Sequence, residues 1–211
     1  MHFSFVEIGS CFFSTALKKY YSDKHKCIMV EPIKKYLDNI PVKKNLIKSN
    51  FAISDYCGDG EIFYTKSGVE KGTFIEEEWY NIKNQNLRKQ VASAGCNSLN
   101  KPHPNAKKFN WSQAREKCKV LTFEAFCLKY DISSIDHLLI DTEGCDLIIL
   151  KSLLGLLKSK SIQINKLISF ESNWLNNQEG QEKVAHEICK ILNFKLKYSN
   201  DKDNNIVLFK P

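Results

Sequence analysis

The sequence FVEIGSCFFSTALKKYY, Phe5–Tyr21, carries the strongest indication of the fold class. An apolar run that ends at Ile8 predicts a buried strand, and after a short turn a helix follows from about Phe13. A strand, a turn and a helix in this order are typical of the first unit of an α/β domain. The turn holds one glycine, Gly9, whereas a loop that cradles a pyrophosphate needs the spacing G-x-G-x-x-G. A pyrophosphate-bearing cofactor is therefore disfavoured, and a cofactor without phosphates remains open.

The remaining sequence repeats this alternation of short apolar runs and amphipathic helices. Further strands are predicted at Cys27–Val30, Leu46–Ser49, Phe51–Ser54, Glu61–Thr65, Lys119–Leu121, His137–Asp141 and Lys166–Phe170, and a hairpin of Phe194–Tyr198 and Ile206–Phe209 closes the chain. Strands that alternate with helices predict a mostly parallel sheet with helices on both faces. We therefore expect an α/β fold with an antiparallel terminal hairpin.

Residues 66–117 lack this regularity. A stretch at Glu76–Val91 suits a helix, and an asparagine-rich loop with Pro102 and Pro104 follows it. Loops of this length in compact domains are usually functional or disordered. Thr122 then suits the N-cap of a helix over Phe123–Tyr130. We expect a single domain over residues 1–211, with an irregular insertion at about 66–117.

Composition limits the classes of partner and the compartment. The net charge is +7, but Arg88 and Arg115 are the only arginines. Sequence-specific readers of nucleic acid rely on bidentate arginine, so nucleic acid is a disfavoured partner. The eight cysteines are scattered without a C-x-x-C pair, which indicates a reducing compartment. No apolar run reaches the ~18–20 residues that cross a membrane, and no signal peptide is recognised, so we expect a cytoplasmic protein without a membrane partner.

Acidic residues stand at the carboxyl ends of the first two strands, where ligands of such sheets bind. Glu7 and Gly9 end the first strand, and Glu31 ends the second, 22 positions after Gly9. An acidic residue about 20 positions beyond the glycine turn accepts hydrogen bonds from ribose hydroxyls. Glu31 also precedes Pro32 and a helix, so taken alone it equally suits an interaction with the helix dipole.

Two more strand ends carry polar side chains. LLIDTEGCD (Leu138–Asp146) places Asp141 and Glu143 after an apolar strand, where carboxylates are candidates for proton transfer as well as for helix capping. ISFESNW (Ile168–Trp174) likewise places Glu171 and Asn173 directly after an apolar strand. Together with Asp141 these oxygens would suit Mg²⁺. We expect no metal, because neighbouring oxygen ligands often have another explanation.

These residues together resemble the FkbM-type family of S-adenosylmethionine-dependent methyltransferases. The resemblance is carried by VEIGS (Val6–Ser10), VEP (Val30–Pro32), NFAISDYCGDGEIF (Asn50–Phe63), VLTFEAF (Val120–Phe126) and LLIDTEGCDLIIL (Leu138–Leu150). Their order and spacing match the family across most of the chain. The resemblance implies a Rossmann-like, seven-stranded methyltransferase sheet with helices on both faces.

The resemblance also implies S-adenosyl-L-methionine as the cofactor and assigns residues to it. They are Glu7, Gly9 and Ser10 for the methionine part, Glu31 for the ribose hydroxyls, Asn50 and Phe51 near the adenine, and Asp141 for the cofactor's amino group or the acceptor. Cys11 and Pro32 are also assigned to the cofactor site. The family usually has a small residue near Phe13. Phe12 therefore either packs below the loop or forms a wall against the cofactor.

The implied reaction is methyl transfer to an oxygen, with Asp141 or Glu143 as the general base. Ser98, Glu171 and Asn173 are assigned to the acceptor side, where the insertion at 66–117 is also expected. The acceptor pocket is then either open or closed by that segment. The predicted function is O-methylation of a hydroxyl on a sugar, glycan or other small molecule. The alternatives are a non-catalytic binding protein with this fold, and a nucleic-acid methyltransferase that the net charge of +7 would suit.

Overall fold

The computed structural model describes residues 1–12, 14–66, 74–75, 82–172, 177–198 and 205–211. Its strands are β1 His2–Ile8, β2 Lys26–Val30, β3 Leu46–Ser49, β4 Ala52–Ser54, β5 Gly58–Thr65, β6 Ser98–Leu99, β7 Gln113–Thr122, β8 Ser134–Ile140, β9 Gln163–Glu171, β10 Lys195–Tyr198 and β11 Asn205–Phe209. Its helices are α1 Thr15–Tyr20, α2 Lys34–Asn39, α3 Gln85–Gly95, α4 Pro104–Lys108, α5 Phe123–Lys129, α6 Asp146–Lys158 and α7 Gln178–Leu192.

The larger sheet has seven strands in the order β10-β11-β9-β8-β1-β2-β3. The pairings among β3, β2, β1, β8 and β9 are parallel, whereas β11 runs antiparallel to both β9 and β10. The α/β class with an antiparallel terminal hairpin is thus confirmed, in a mixed sheet. The strand order reverses between β1 and β8, and ligands bind at such a switch point in open α/β sheets.

Helices pack on both faces of this sheet because its strands are buried on both sides. Val6 and Leu138 lie in one apolar cluster with residues of α5, α6 and α7. Phe5 and Met29 lie in another cluster with residues of α1 and α2. Phe3 lies in the first cluster, whereas Phe5, two positions later, lies in the second. The pairing of β1 with β2 shifts register between these two residues, which explains why they face opposite sides of the sheet.

A second, four-stranded sheet has the order β4-β7-β5-β6. The sequence pattern predicts only a short strand at Lys119–Leu121, but β7 starts at Gln113 because its first half pairs antiparallel with β5. The described part of residues 66–117 also contributes α3, β6 and α4. The helix expected at Glu76–Val91 is observed only from Gln85, and residues 76–81 lie outside the described part.

One local prediction is confirmed at the start of α5. Thr122 is the N-cap of α5, and its hydroxyl accepts a hydrogen bond from the backbone N–H of Ala125 at 3.1 Å. Phe12 is fully buried and its ring packs edge-on against Tyr36, with 5.2 Å between the ring centroids. Phe13 lies outside the described residues. None of the described helices combines the length and apolar character that a membrane span requires.

Candidate functional site

An open cavity of about 580 Å³, including the space at its mouth that is open to solvent, lies at the carboxyl ends of β1, β2 and β8, between the two sheets. Residues from both sheets and their connections form its wall: Ile8, Gly9, Cys11, Glu31, Pro32, Phe51, Ala52, Ile53, Ile62, Gly95, Asn97, Leu99, Asp141, Thr142, Glu143 and Cys145. The cavity thus brings together seven of the residues assigned from the sequence: Gly9, Cys11, Glu31, Pro32, Phe51, Asp141 and Glu143.

Gly9 is required where the chain leaves β1. Its φ is +88°, and a Cβ at this position would lie 1.7 Å from the carbonyl oxygen of Asp141. The backbone N–H of Gly9 donates to the carbonyl of Val30 at 2.9 Å, and the N–H of Asp141 donates to that of Ile8 at 2.9 Å. A single glycine therefore lets three strand ends meet, since only a residue without Cβ fits this approach.

Glu31 is a buried carboxylate with 3% of its surface exposed. Its Oε2 accepts a hydrogen bond from the N–H of Cys11 at 2.7 Å, and its Oε1 accepts one from the N–H of Ile33 at 2.8 Å. Burial raises the pKa of Glu31 to about 8, although both hydrogen bonds act in the opposite direction. Because each oxygen has a second lone pair, Glu31 can also accept hydrogen bonds from a ligand in the cavity.

Three acidic side chains converge at the ends of β8 and β9. Carboxylate oxygens of Asp141, Glu143 and Glu171 all lie within 4.8 Å of one another. Glu143 has a φ of +51°, and Gly144 after it has a φ of +127°. This left-handed backbone is unfavourable for glutamate, and such strain is concentrated at functional sites. The carboxylates concentrate negative charge beside the cavity, which favours a positively charged ligand.

His103 joins this site from a distant part of the chain. Only 1% of its surface is exposed, and its Nε2 lies 3.1 Å from Oε2 of Glu143. Its Nδ1 accepts a hydrogen bond from the N–H of Asn105 at 3.1 Å, which makes His103 the N-cap of α4. The sequence pattern did not single out this histidine. Its only local signal is the following Pro104, a residue that favours the first position of a helix.

Asn97 is a second site residue that the sequence pattern did not identify. Its side chain lines the cavity, and its buried Oδ1 has no hydrogen-bond partner among the described residues. Its Nδ2 donates to the carbonyl of Ala94, so the amide orientation is fixed from one side. An unpaired buried acceptor in a cavity wall suits a ligand that brings a donor.

Some of the assigned residues support the loops rather than line the cavity. The Ser14 hydroxyl donates to Glu7 Oε2, that of Ser10 donates to the Val30 carbonyl, and Asn50 donates to the carbonyls of Glu31 and Pro32. Ser98 lies beside the cavity residue Asn97, with its hydroxyl directed to the carbonyl of Lys101. The backbone carbonyl of Glu171 accepts from Gln181, and Asn173 lies outside the described residues.

Cys11 and Cys145 line the cavity, and the pKa values of both thiols are raised. Burial raises the pKa of Cys11 well above its ordinary value, and the nearby Glu31 carboxylate adds to this. Burial also raises the pKa of Cys145, the residue before α6. A thiol with a raised pKa is a poor nucleophile at neutral pH. The cavity thiols are therefore poor candidates for nucleophiles, and all eight cysteines are free.

A family model described as "Methyltransferase FkbM domain" matches residues 5–200, which is most of the chain. The matched range contains every described residue that lines the cavity. Neither the curated proteins nor the solved structures contained a significant match.

Proposed function

Because the chain belongs to the FkbM methyltransferase family, we propose that it transfers a methyl group from S-adenosyl-L-methionine to a hydroxyl of a sugar, glycan or other small molecule. The observation that carries the proposal is Glu31, a buried carboxylate in the cavity wall at the end of β2. A carboxylate at this point of an α/β sheet suits the two hydroxyls of a ribose.

The residues around Glu31 fit the remainder of this cofactor. Gly9 and Cys11 line the turn after β1, where the methionine part would lie, and Phe51 supplies an aromatic face for the adenine. The unpaired Oδ1 of Asn97 can accept a hydrogen bond from an amino group. The carboxylates of Asp141, Glu143 and Glu171 offset positive charge. This donor set suits a cationic nucleoside better than a pyrophosphate, whose negative charges these carboxylates would repel.

When bound, the cofactor supplies a methyl group on a positively charged sulfur. The protein's part is to hold the acceptor hydroxyl close and aligned, which accounts for much of the catalysis in such displacements. Asp141 or Glu143 accepts the proton that the hydroxyl loses as its oxygen gains the methyl group. Ser98, Glu171 and Asn173 are proposed to contact the acceptor, because they adjoin this part of the wall in sequence or in space.

The proposal extends to the fold and the location of the protein. We take the seven-stranded sheet to be the Rossmann-like sheet of methyltransferases, supported by its strand order and its antiparallel β11. Residues 1–211 are proposed to form one domain, with the segment at about 66–117 on the acceptor side. The eight free cysteines support a cytoplasmic location, because structural disulfides are rare in reducing compartments.

A thermal shift measurement with S-adenosylhomocysteine tests the cofactor. At 100 times its dissociation constant, a ligand adds about 2.7 kcal/mol to the free energy of unfolding. For a chain of this length the midpoint should rise by roughly 5–10 °C. NAD is the matched control, because its pyrophosphate should prevent binding. The absence of any shift at millimolar S-adenosylhomocysteine would contradict the proposal, as would an equal shift with NAD.

The acceptor class is tested separately with methyl-labelled S-adenosylmethionine and a panel of methyl glycosides and small alcohols. Label that becomes attached to a hydroxyl oxygen supports O-methylation. Label found only on single-stranded RNA or DNA would support the nucleic-acid alternative instead. Binding of S-adenosylhomocysteine without transfer to any acceptor in the panel would support the non-catalytic alternative.

A further inference from the structure

We propose that His103 is a positioning residue, which holds the Glu143 carboxylate in one orientation at the cavity wall so that it can receive the acceptor's proton. The inference rests on the proposed function and adds a residue that the family resemblance did not assign. Its basis is the hydrogen bond between Nε2 of His103 and Oε2 of Glu143, at 3.1 Å.

Burial determines how His103 can act. With 1% of its surface exposed, its ring does not reach a ligand in the cavity. Glu143 does line the cavity and retains 17% of its side-chain surface. Any effect of His103 on the reaction must therefore pass through Glu143. This distinguishes His103 from a catalytic histidine, which would have to contact the acceptor itself.

The contacts of the ring define its protonation. Because Nδ1 accepts the N–H of Asn105 at 3.1 Å, Nδ1 carries a lone pair, and the ring proton of a neutral imidazole must be on Nε2. The Nε2–H then donates to Glu143 Oε2. By distance alone the contact resembles an ion pair, but a charged ring would direct an Nδ1–H against the N–H of Asn105. We therefore interpret it as a neutral donor on a carboxylate.

A fixed donor restricts a side chain that would otherwise be mobile. Ordering a glutamate side chain costs rotamer entropy. A hydrogen bond to a charged group is stronger than one between neutral groups, so it can offset that cost. The bond uses one lone pair of Oε2 and leaves Oε1 as the oxygen best placed to accept from the acceptor hydroxyl. The positive φ of Glu143 also sets the direction in which its side chain leaves the backbone.

The same residues could instead suggest a metal site, because ligand atoms of Cys96, His103 and Glu143 lie within 4.8 Å of one another. Sulfur, imidazole and carboxylate ligands suit Zn²⁺. Coordination by Nε2 needs a lone pair there, which would move the ring proton to Nδ1 and break the bond from Asn105. The observed contacts therefore favour a hydrogen-bond donor.

Sinefungin is a suitable probe, because it replaces the methylsulfonium group of S-adenosylmethionine with a carbon that bears an amino group. That ammonium occupies the position from which a methyl group would be transferred, so its affinity reports a carboxylate placed there. We expect Glu143→Gln to weaken sinefungin binding about tenfold and to leave S-adenosylhomocysteine binding within about twofold. Isothermal titration calorimetry measures both affinities.

The His103 variants separate positioning from folding. His103→Ala should lose most of the preference for sinefungin over S-adenosylhomocysteine, and His103→Gln should restore it, because its amide can donate to Glu143. His186→Ala, at an exposed position of α7, is the control and should match the wild type. An unchanged preference in His103→Ala would overturn the proposal, as would a loss that His103→Gln fails to restore.

The tautomer is tested independently by ¹⁵N NMR of the histidine rings at pH 7.5. We expect an unprotonated Nδ1 and a protonated Nε2 for His103. The ¹⁵N–¹H coupling at Nε2 should be lost in Glu143→Gln. A proton on Nδ1 would overturn the proposal even if both cofactor analogues bind. If S-adenosylhomocysteine fails to bind the wild type while the expected tautomer is seen, the proposed function fails and the contact between His103 and Glu143 stands as structural.

Discussion

At the scale of single residues, Glu31 shows how burial and function oppose each other. The carboxylate lies in the cavity wall, where it is available to a ligand, and burial raises its pKa to about 8. Hydrogen bonds from the N–H groups of Cys11 and Ile33 hold it in place but do not cancel the desolvation. The free protein therefore carries a destabilising group at neutral pH, which a bound ligand with hydroxyl donors would stabilise.

We predict that Glu31→Gln flattens the dependence of stability on pH. Between the ordinary value of 4.5 and the folded value of about 8, the folded protein binds more protons at Glu31 than the unfolded chain does. The free energy of unfolding therefore falls as the pH rises through this window, by up to about 1.4 kcal/mol per pH unit. Urea titrations of both proteins from pH 5 to pH 9 measure the slopes.

In Glu31→Gln the free energy of unfolding should still fall with rising pH, but less steeply. The remaining slope comes from Asp146, because burial also raises its pKa, to about 7. The variant should further lose one hydrogen bond at every pH, since an amide cannot accept from both the Cys11 and the Ile33 N–H groups. Equal slopes in the wild type and the variant would mean that Glu31 does not hold its proton near neutral pH.

Gly9 allows a second prediction at this scale. Gly9→Ala should lower the free energy of unfolding by at least about 3 kcal/mol, because the methyl group meets the Asp141 backbone and the positive φ adds strain. Gly155→Ala is the matched control. A Cβ at Gly155 meets no atom within 4 Å, and α6 should gain up to about 1 kcal/mol. Urea unfolding compares the two variants with the wild type. A well-folded Gly9→Ala that binds S-adenosylhomocysteine would contradict the prediction.

At the scale of elements, α1 and α5 each begin at a cap that the local sequence encodes. Ser14 caps α1 and accepts from the N–H of Leu17, as Thr122 caps α5. Residues 113–118 of β7 are different, because their strand structure depends on β5 about 50 positions earlier. Caps therefore follow from local sequence, whereas the extent of β7 follows from its partner.

We predict that Thr122→Ala destabilises the protein by about 1 kcal/mol, because the N–H of Ala125 loses its acceptor at the start of α5. Thr122→Ser keeps the hydroxyl and should stay within about 0.5 kcal/mol of the wild type. Chemical denaturation of the three proteins at one pH gives the comparison. Equal losses in both variants would assign the effect to the methyl group rather than to the cap.

At the scale of the whole molecule, the cavity depends on two sheets that meet. Gly9 and Glu143 follow strands of the larger sheet, whereas Ala52, Ile62 and Leu99 belong to the smaller one. The net charge of the chain is +7, yet three carboxylates converge beside the cavity. The overall charge therefore does not predict the charge that a ligand meets, because burial selects which side chains face the cavity.

Hydrogen exchange with and without S-adenosylhomocysteine tests this arrangement. We expect slower exchange both at the backbone after β1 and β2 and at β4 and Asn97, because a ligand in the cavity would contact both sheets. Residues 184–189 of α7 do not line the cavity and serve as the internal reference. Protection restricted to the larger sheet would show that the ligand binds outside the space between the sheets.

The amino-acid sequence alone predicts the α/β alternation, the terminal hairpin and the group of Gly9, Glu31, Asp141 and Glu143. It could do so because strand periodicity is local and the carboxyl ends of parallel strands meet at one edge of a sheet. This local order, together with motif spacing, also led to the family that the comparison confirmed.

Three features follow from the folded structure and not from sequence patterns: the second sheet, the Asn97 Oδ1 without a hydrogen-bond partner among the described residues, and the contact of His103 with Glu143. The last of these joins side chains 40 positions apart, through a helix start that no periodicity links to β8. Such contacts depend on how the connection between β5 and β7 folds back onto the larger sheet. Local propensity does not encode that path, because it is fixed by the burial of side chains from distant segments against one another.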